Sequence, residues 1–213
     1  MLNIELNKKV ILHPSPEGWI ESSTGGVRSF LLEQSPIRET LLLDYRPGVE
    51  NVWDKPSCSE EILVLEGTFT NADGEHPAGT YLRNPEGTLH KSISAKGCRL
   101  FVKLTQRIVE EKQKVRILTH LADWRQGHGN LQVLPLYSFG TEGSALVKWP
   151  AGERFVKHTH FGGEEIFVLQ GEFIDEFGRY PKGSWIRSPH LSQHFPYVDV
   201  ETIIFVKTGH LLS

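Results

Sequence analysis

The chain has 213 residues, enough for one large or two small domains with a buried core. Its 23 basic and 26 acidic residues leave a net charge of -3, and no Lys/Arg cluster marks a nucleic-acid footprint, so DNA and RNA are not expected partners. The start, MLNIELNKKV, has no apolar signal core, and no apolar run approaches the ~20 residues that cross a bilayer, so no membrane partner is expected and the chain reads as soluble and cytoplasmic.

Along the chain the pattern is strand-like, and helix is scarce. Short apolar segments bounded by Gly or Pro predict strands over 61–65, 100–104, 166–169 and 202–207. The 20 Gly and 12 Pro, with turns such as Asn71-Ala72-Asp73-Gly74, fit many short strands closing into a barrel or sandwich. The fold class is therefore all-β. Cys58 and Cys98 are too few for a disulfide scaffold and read as reduced thiols packed as small apolar groups.

Adding 104 to positions in the first half brings identities into register: Gly48 with Gly152, Glu60 with Glu164, Gly67 with Gly171, Pro77 with Pro181, Arg83 with Arg187, His90 with His194. Upstream the offset becomes 105, pairing Trp19 with Trp124 and Lys9-Val10 with Lys114-Val115. This is a tandem duplication, with one unit over 1–105 and the other over 106–213. The charged stretch 106–112 between them reads as a solvated connector or edge strand. Gly67 and Gly171, each after an apolar strand, should sit at turns where φ is positive or a side chain would clash. Because Arg83 and Arg187 occur in both units, a structural ion pair is favoured over a substrate clamp.

The chemistry is concentrated in the second unit. His158 and His160 are two apart, so on a strand both imidazoles point to one side and can reach one metal. The turn Phe161-Gly162-Gly163 would then bring the Glu164 carboxylate near them, and His194 could complete the set. Three imidazoles and a carboxylate suit one divalent transition metal, with Zn preferred and Fe, Ni or Mn as alternatives, rather than Ca or Mg. His190 reads as a solvent-facing loop residue, while His13, His76, His120, His128 and His210 lack ligand-like spacing.

The run Gly152-x5-His158-x-His160-x3-Glu164-x6-Gly171, followed by Pro181-x-Gly183 and His194, resembles the two motifs of the cupin superfamily. The resemblance implies two tandem cupin barrels, each a double-stranded β-helix or jelly roll, with His158, His160, Glu164 and His194 at the metal-ligand positions. The longer phrases HTHFGGEEIFVLQGEF, at 158–173, and GTYLRNP, at 79–85, resemble the cupin domain of ChrR-type anti-sigma factors. In those proteins the cupin is a zinc-binding sensory part, and a separate helical zinc domain holds the sigma factor. Nothing before Trp19 corresponds to that helical domain, so direct sigma-factor inhibition is not expected.

At the matching positions of the first unit stand Asp54, Pro56, Glu60 and His90. Proline has no side-chain donor, so this first site, reduced to Asp54, Glu60 and His90, reads as degenerate. The expected function is a sensory or regulatory metal-binding module, in an oxidant response and transcription regulation, with a regulatory protein or small molecule as partner. The alternative is a mononuclear Fe(II) dioxygenase acting on a small organic substrate such as a diketone, because small diketone-cleaving dioxygenases share a similar phrase. Non-enzymatic function is favoured, since four protein donors would fill a tetrahedral zinc shell. Homodimerisation through exposed barrel edges is the expected mode of assembly.

Overall fold

The computed structural model describes residues 1–23, 25–51, 57–88, 92–106 and 111–211. Apart from one 3-10 turn at Pro16–Gly18, every regular element among them is a strand. The predicted strands are present and longer than their apolar cores: Ser59–Asn71, Cys98–Thr105, Glu164–Gln170 and Thr202–Thr208. Among the described residues no helix is long and apolar enough to cross a membrane.

The chain forms two compact units, and neither is contiguous in sequence. The first comprises Met1–Ile4 and Ser15–Leu121; the second comprises Glu5–Pro14 and Ala122–Ser213. These units differ from the sequence repeats at 1–105 and 106–213 because the duplicated strands pair outside their own repeat. Val10–Leu12 pairs antiparallel with Trp185–Ser188 in the second unit, while Val115–Leu118 pairs with Thr80–Asn84 in the first.

In the first unit the main sheet runs in the order Val115–Leu118, Thr80–Asn84, Ser59–Asn71, Cys98–Thr105, Arg38–Tyr45, Val27–Gln34, Ile20–Glu21. Its core is built from alternate residues such as Leu41, Leu43, Ile62, Val64, Leu100 and Val102, and both cysteines pack there as free thiols. Glu111, in the stretch expected to be solvated, instead has a buried side chain and lies 2.6 Å from the Arg83 guanidinium. Arg83 is thus in a structural ion pair. Residues 107–110 of that stretch lie outside the described residues, as do Asp54, Pro56 and His90 of the first site.

The second unit's main sheet runs Val10–Leu12, Trp185–Ser188, Glu164–Gln170, Thr202–Thr208, Glu142–Trp149, Gln132–Phe139, Arg125–Gln126. Two small sheets complete it: His158–Thr159 with Gln193–His194, and Glu172–Asp175 with Gly178–Pro181. Ile166, Val168, Ile186, Ile204 and Trp149 from the main sheet share one core with Phe173 and Tyr180 from a small sheet, so the core lies between the two layers. Among the described residues the hydrogen-bonded order of each main sheet runs from edge to edge without closing.

Gly67 and Gly171 behave as the duplication predicts. Their φ values are +73° and +74°, and a Cβ would lie 2.1 Å from the Gly97 carbonyl oxygen in one and 2.4 Å from that of Glu201 in the other.

Candidate metal centre

Strand alternation decides what faces the second unit's interior. In Glu164–Gln170 the residues Glu164, Ile166 and Val168 point inward, and across the ladder Glu164 is paired with Thr208, Ile166 with Val206 and Val168 with Ile204. Odd-numbered neighbours take the opposite face, where Trp185 Nε1 donates to Glu165 at 2.8 Å and the Arg187 guanidinium donates to the Glu5 carbonyl at 3.0 Å. Arg187 is therefore no substrate clamp at this site.

The inward end of this face brings the four predicted residues together. The His158–Thr159 strand pairs with Gln193–His194 so that His158 and His194 are direct cross-strand partners. His160 follows, held by backbone bonds to Ser192 and Leu191. Gly162 and Gly163, at φ +74° and +76°, then reverse the chain and deliver Glu164. One donor atom from each of His158, His160, Glu164 and His194 lies within 4.8 Å of all the others.

These four donors could hold a cation. His160 Nε2 and Glu164 Oε2 are buried, 3.5 Å apart, and neither has a hydrogen-bond partner among the described residues. Two unpartnered buried atoms are costly, and a shared ion relieves both. His158 Nδ1 donates to the Val156 carbonyl at 3.0 Å, which leaves its Nε2 with a free lone pair. His194 Nδ1 faces Asp175 at 3.4 Å, and its Nε2 lies 3.6 Å from Glu164 Oε2. Burial lowers His158 from its ordinary value and, with the neighbouring imidazoles, holds His160 down at about 3. Burial likewise pushes the Glu164 carboxyl up to about 7. The quartet fits a divalent transition metal in donor type and number.

The quartet does not sit in a sealed interior. It forms one wall of a cavity of about 460 Å³ whose other walls are mostly Leu131, Val133, Val147, Trp149, Phe155, Ile166, Ile204 and Val206. Besides the four donors, its polar lining among the described residues comprises His128, Thr159 and Thr208, with no Lys or Arg. His128 had no sequence signal; it packs edge-on against Phe155 at 4.9 Å. Phe161 lines the cavity and is exposed; Phe195, next to His194 in sequence, is exposed as well, whereas Phe167, Phe173 and Trp185 are buried. His190 is exposed and accepts a bond from the Gly162 amide at 2.8 Å, bracing the turn.

Asp175 was missed by sequence reasoning. Its Oδ1 accepts from Tyr180 Oη at 2.7 Å and from the amides of Phe177 and Gly178 at 2.8 and 3.1 Å. Its Oδ2 meets Lys9 Nζ at 3.0 Å. These bonds, with that of His194, hold its carboxyl well below the ordinary range against the opposing effect of burial.

Two layers of antiparallel strands around an inward His₃Glu quartet define a cupin. The chain belongs to the ChrR cupin-like domain family, whose sequence profile matches residues 7–107 and again 112–212. Among solved structures the chain is similar to the E. coli protein YlbA, at 16% identity over 96% of this chain and 92% of that one, with a TM-score of 0.74. It is also similar to a candidate dioxygenase from Nostoc punctiforme (15% identity, 88% and 74% covered, TM-score 0.73). A point variant of the Bacillus subtilis oxalate decarboxylase OxdC gives 13% identity, 95% and 77% coverage, and a TM-score of 0.67. At these identities the likeness is one of fold. No curated protein sequence matches the chain.

Proposed function

We propose that the second unit is a mononuclear metal centre open to a small, largely apolar molecule, serving a sensory or regulatory module. The observation that supports it is the quartet itself, with two buried unpartnered donor atoms, set into the wall of an apolar cavity. His158, His160, Glu164 and His194 hold the ion. Bound there, a divalent transition metal supplies a Lewis-acid centre. A strictly four-coordinate zinc site would leave the cavity without a role, so a metal that accepts more than four ligands suits this unit better.

The protein's own groups set which molecule fits. Apolar walls exclude water, and His128 and Thr208 offer hydrogen bonds to a carbonyl or hydroxyl. With no Lys or Arg among the described lining residues, a dianion such as oxalate finds no counter-charge beyond the metal, which argues for a neutral or singly charged guest. Membership of the ChrR cupin-like family supports the regulatory reading. The cavity also supports the second reading, an iron-dependent dioxygenase, because catalysis requires space for oxygen and substrate beside the ion.

Cobalt(II)-loaded protein titrated with pentane-2,4-dione tests the common ground. The visible spectrum should change in the parent and not in His160→Ala; an unchanged parent spectrum counts against a guest at the metal. Oxygen uptake by iron-loaded protein then separates the two roles. Diketone-dependent consumption at about 1 s⁻¹ or faster makes it an oxygenase, and none supports the regulatory module.

A further inference from the structure

The duplicated chain contains its own comparison for the residue behind His194. Asp175 stands in the turn Asp175-Glu176-Phe177-Gly178, and the matching turn of the first unit is Asn71-Ala72-Asp73-Gly74. Both side chains do the same structural work with Oδ1. Asp175 Oδ1 accepts from the Phe177 amide at 2.8 Å and from Tyr180 Oη at 2.7 Å. Asn71 Oδ1 accepts from the Asp73 amide at 2.9 Å and from His76 Nε2, at the Tyr180 position, at 2.7 Å. The turn therefore needs an acceptor at Oδ1 and is indifferent to charge.

The second side-chain atom is where the units differ. In Asp175 it is an oxygen, which faces His194 Nδ1 at 3.4 Å and Lys9 Nζ at 3.0 Å. In Asn71 it is an amide nitrogen, buried and without a partner among the described residues. Lys114, at the Lys9 position, turns to Asp73 instead, at 2.6 Å. The lysine of the second unit comes from the N-terminal segment, where Lys9 Nζ also lies 4.0 Å from the centre of the Phe177 ring.

We infer that Asp175, anchored by Lys9, is a positioning residue of the metal centre: its Oδ2 accepts from His194 Nδ1–H and so keeps the Nε2 lone pair directed at Glu164. A carboxylate can only accept here, which forces the proton onto Nδ1. An asparagine with Oδ1 committed to the turn would present N–H to the same imidazole nitrogen. Nδ1 would then have to accept, and the proton would move to Nε2, the atom required by the ion. The inference rests on the metal-centre reading for its consequence and on protein geometry alone for its cause.

The test is Asp175→Asn, the exchange that the first unit already carries in an intact turn. In metal-free protein, ¹⁵N-labelled histidine NMR should show His194 protonated at Nδ1 in the parent and at Nε2 in the variant. Zinc affinity, measured by chelator competition, should fall about 10- to 100-fold. Lys9→Met removes the ion pair while leaving the carboxylate facing the imidazole, and should keep the parental tautomer. An unchanged tautomer in Asp175→Asn, or the same switch in Lys9→Met, overturns the inference. If the parent takes up no divalent transition metal, the metal-centre reading fails, and the tautomer still decides whether Asp175 positions His194.

Discussion

Replacing Glu164 by Gln should stabilise chelator-treated protein relative to its parent as the pH rises, although it removes a metal ligand. Burial pushes the Glu164 carboxyl from 4.5 to about 7, so between those values the folded state binds a proton that the unfolded chain has released. A group whose folded value is raised contributes stability that is complete below the unfolded value and lost as pH rises through the folded one. At about 1.4 kcal/mol for each tenfold change in proton affinity, ionising Glu164 in the metal-free fold costs about 3 kcal/mol. Glutamine stays neutral and escapes this loss. Urea denaturation with chelator at pH 4.5 and pH 8 should show the difference between variant and parent moving by about 3 kcal/mol in favour of the variant. With metal present the preference should invert, because the carboxylate then has its ion. A difference that is flat with pH, or that moves against the variant in chelator, refutes the account of Glu164 as an uncompensated buried acid.

The same carboxyl should govern the onset of acid release. Three ordinary imidazoles competing for protons would put that onset at about 6.5; burial instead moves His160 down to about 3 and Glu164 up to about 7. Apparent metal affinity should therefore begin to fall below about pH 7, by up to tenfold per pH unit; chelator competition from pH 8 to 5.5 checks it, and a flat profile counts against it. Gly171→Ala should cost about 1–3 kcal/mol or more, since its φ is +74° and the new Cβ would meet Glu201 O at 2.4 Å and Thr202 Oγ1 at 2.5 Å. Gly183→Ala, at φ +88° with nothing within 4 Å, should cost about 1 kcal/mol. Thermal denaturation reads both, and equal losses would refute the steric part.

Periodicity and repetition carried much of this in the sequence. Local alternation is enough to place Ser59–Asn71 and Thr202–Thr208, because a strand with one buried face writes its period into the chain. The 104-residue offset located the turns at Gly67 and Gly171, and the H-x-H spacing together with the cupin-like motif around it foretold the cluster of His158, His160, Glu164 and His194 that geometry brings together. What was not legible depends on contacts with no local signature. Lys9 and Asp175 are 166 residues apart, and only the pairing of Val10–Leu12 with Trp185–Ser188 brings Lys9 within reach of that turn. The strand pair at Lys9-Val10 and Lys114-Val115 was visible as a repeat, yet nothing in it says which sheet each strand joins. Glu111 read as solvated because charged runs usually are; its burial follows from Arg83, which needs a carboxylate. The cavity walls looked like any other core residues, since Val147 and Ile204 differ from packed neighbours only in having space beside them.

Elemental analysis of protein stripped with chelator, reloaded with a single divalent transition metal and desalted tests the central claim most directly. The account predicts one ion per chain in the parent, close to none in His160→Ala, and an unchanged ratio in His90→Ala. A His160→Ala protein that keeps its ion, a parent that takes up none, or a parent that holds two per chain would contradict it.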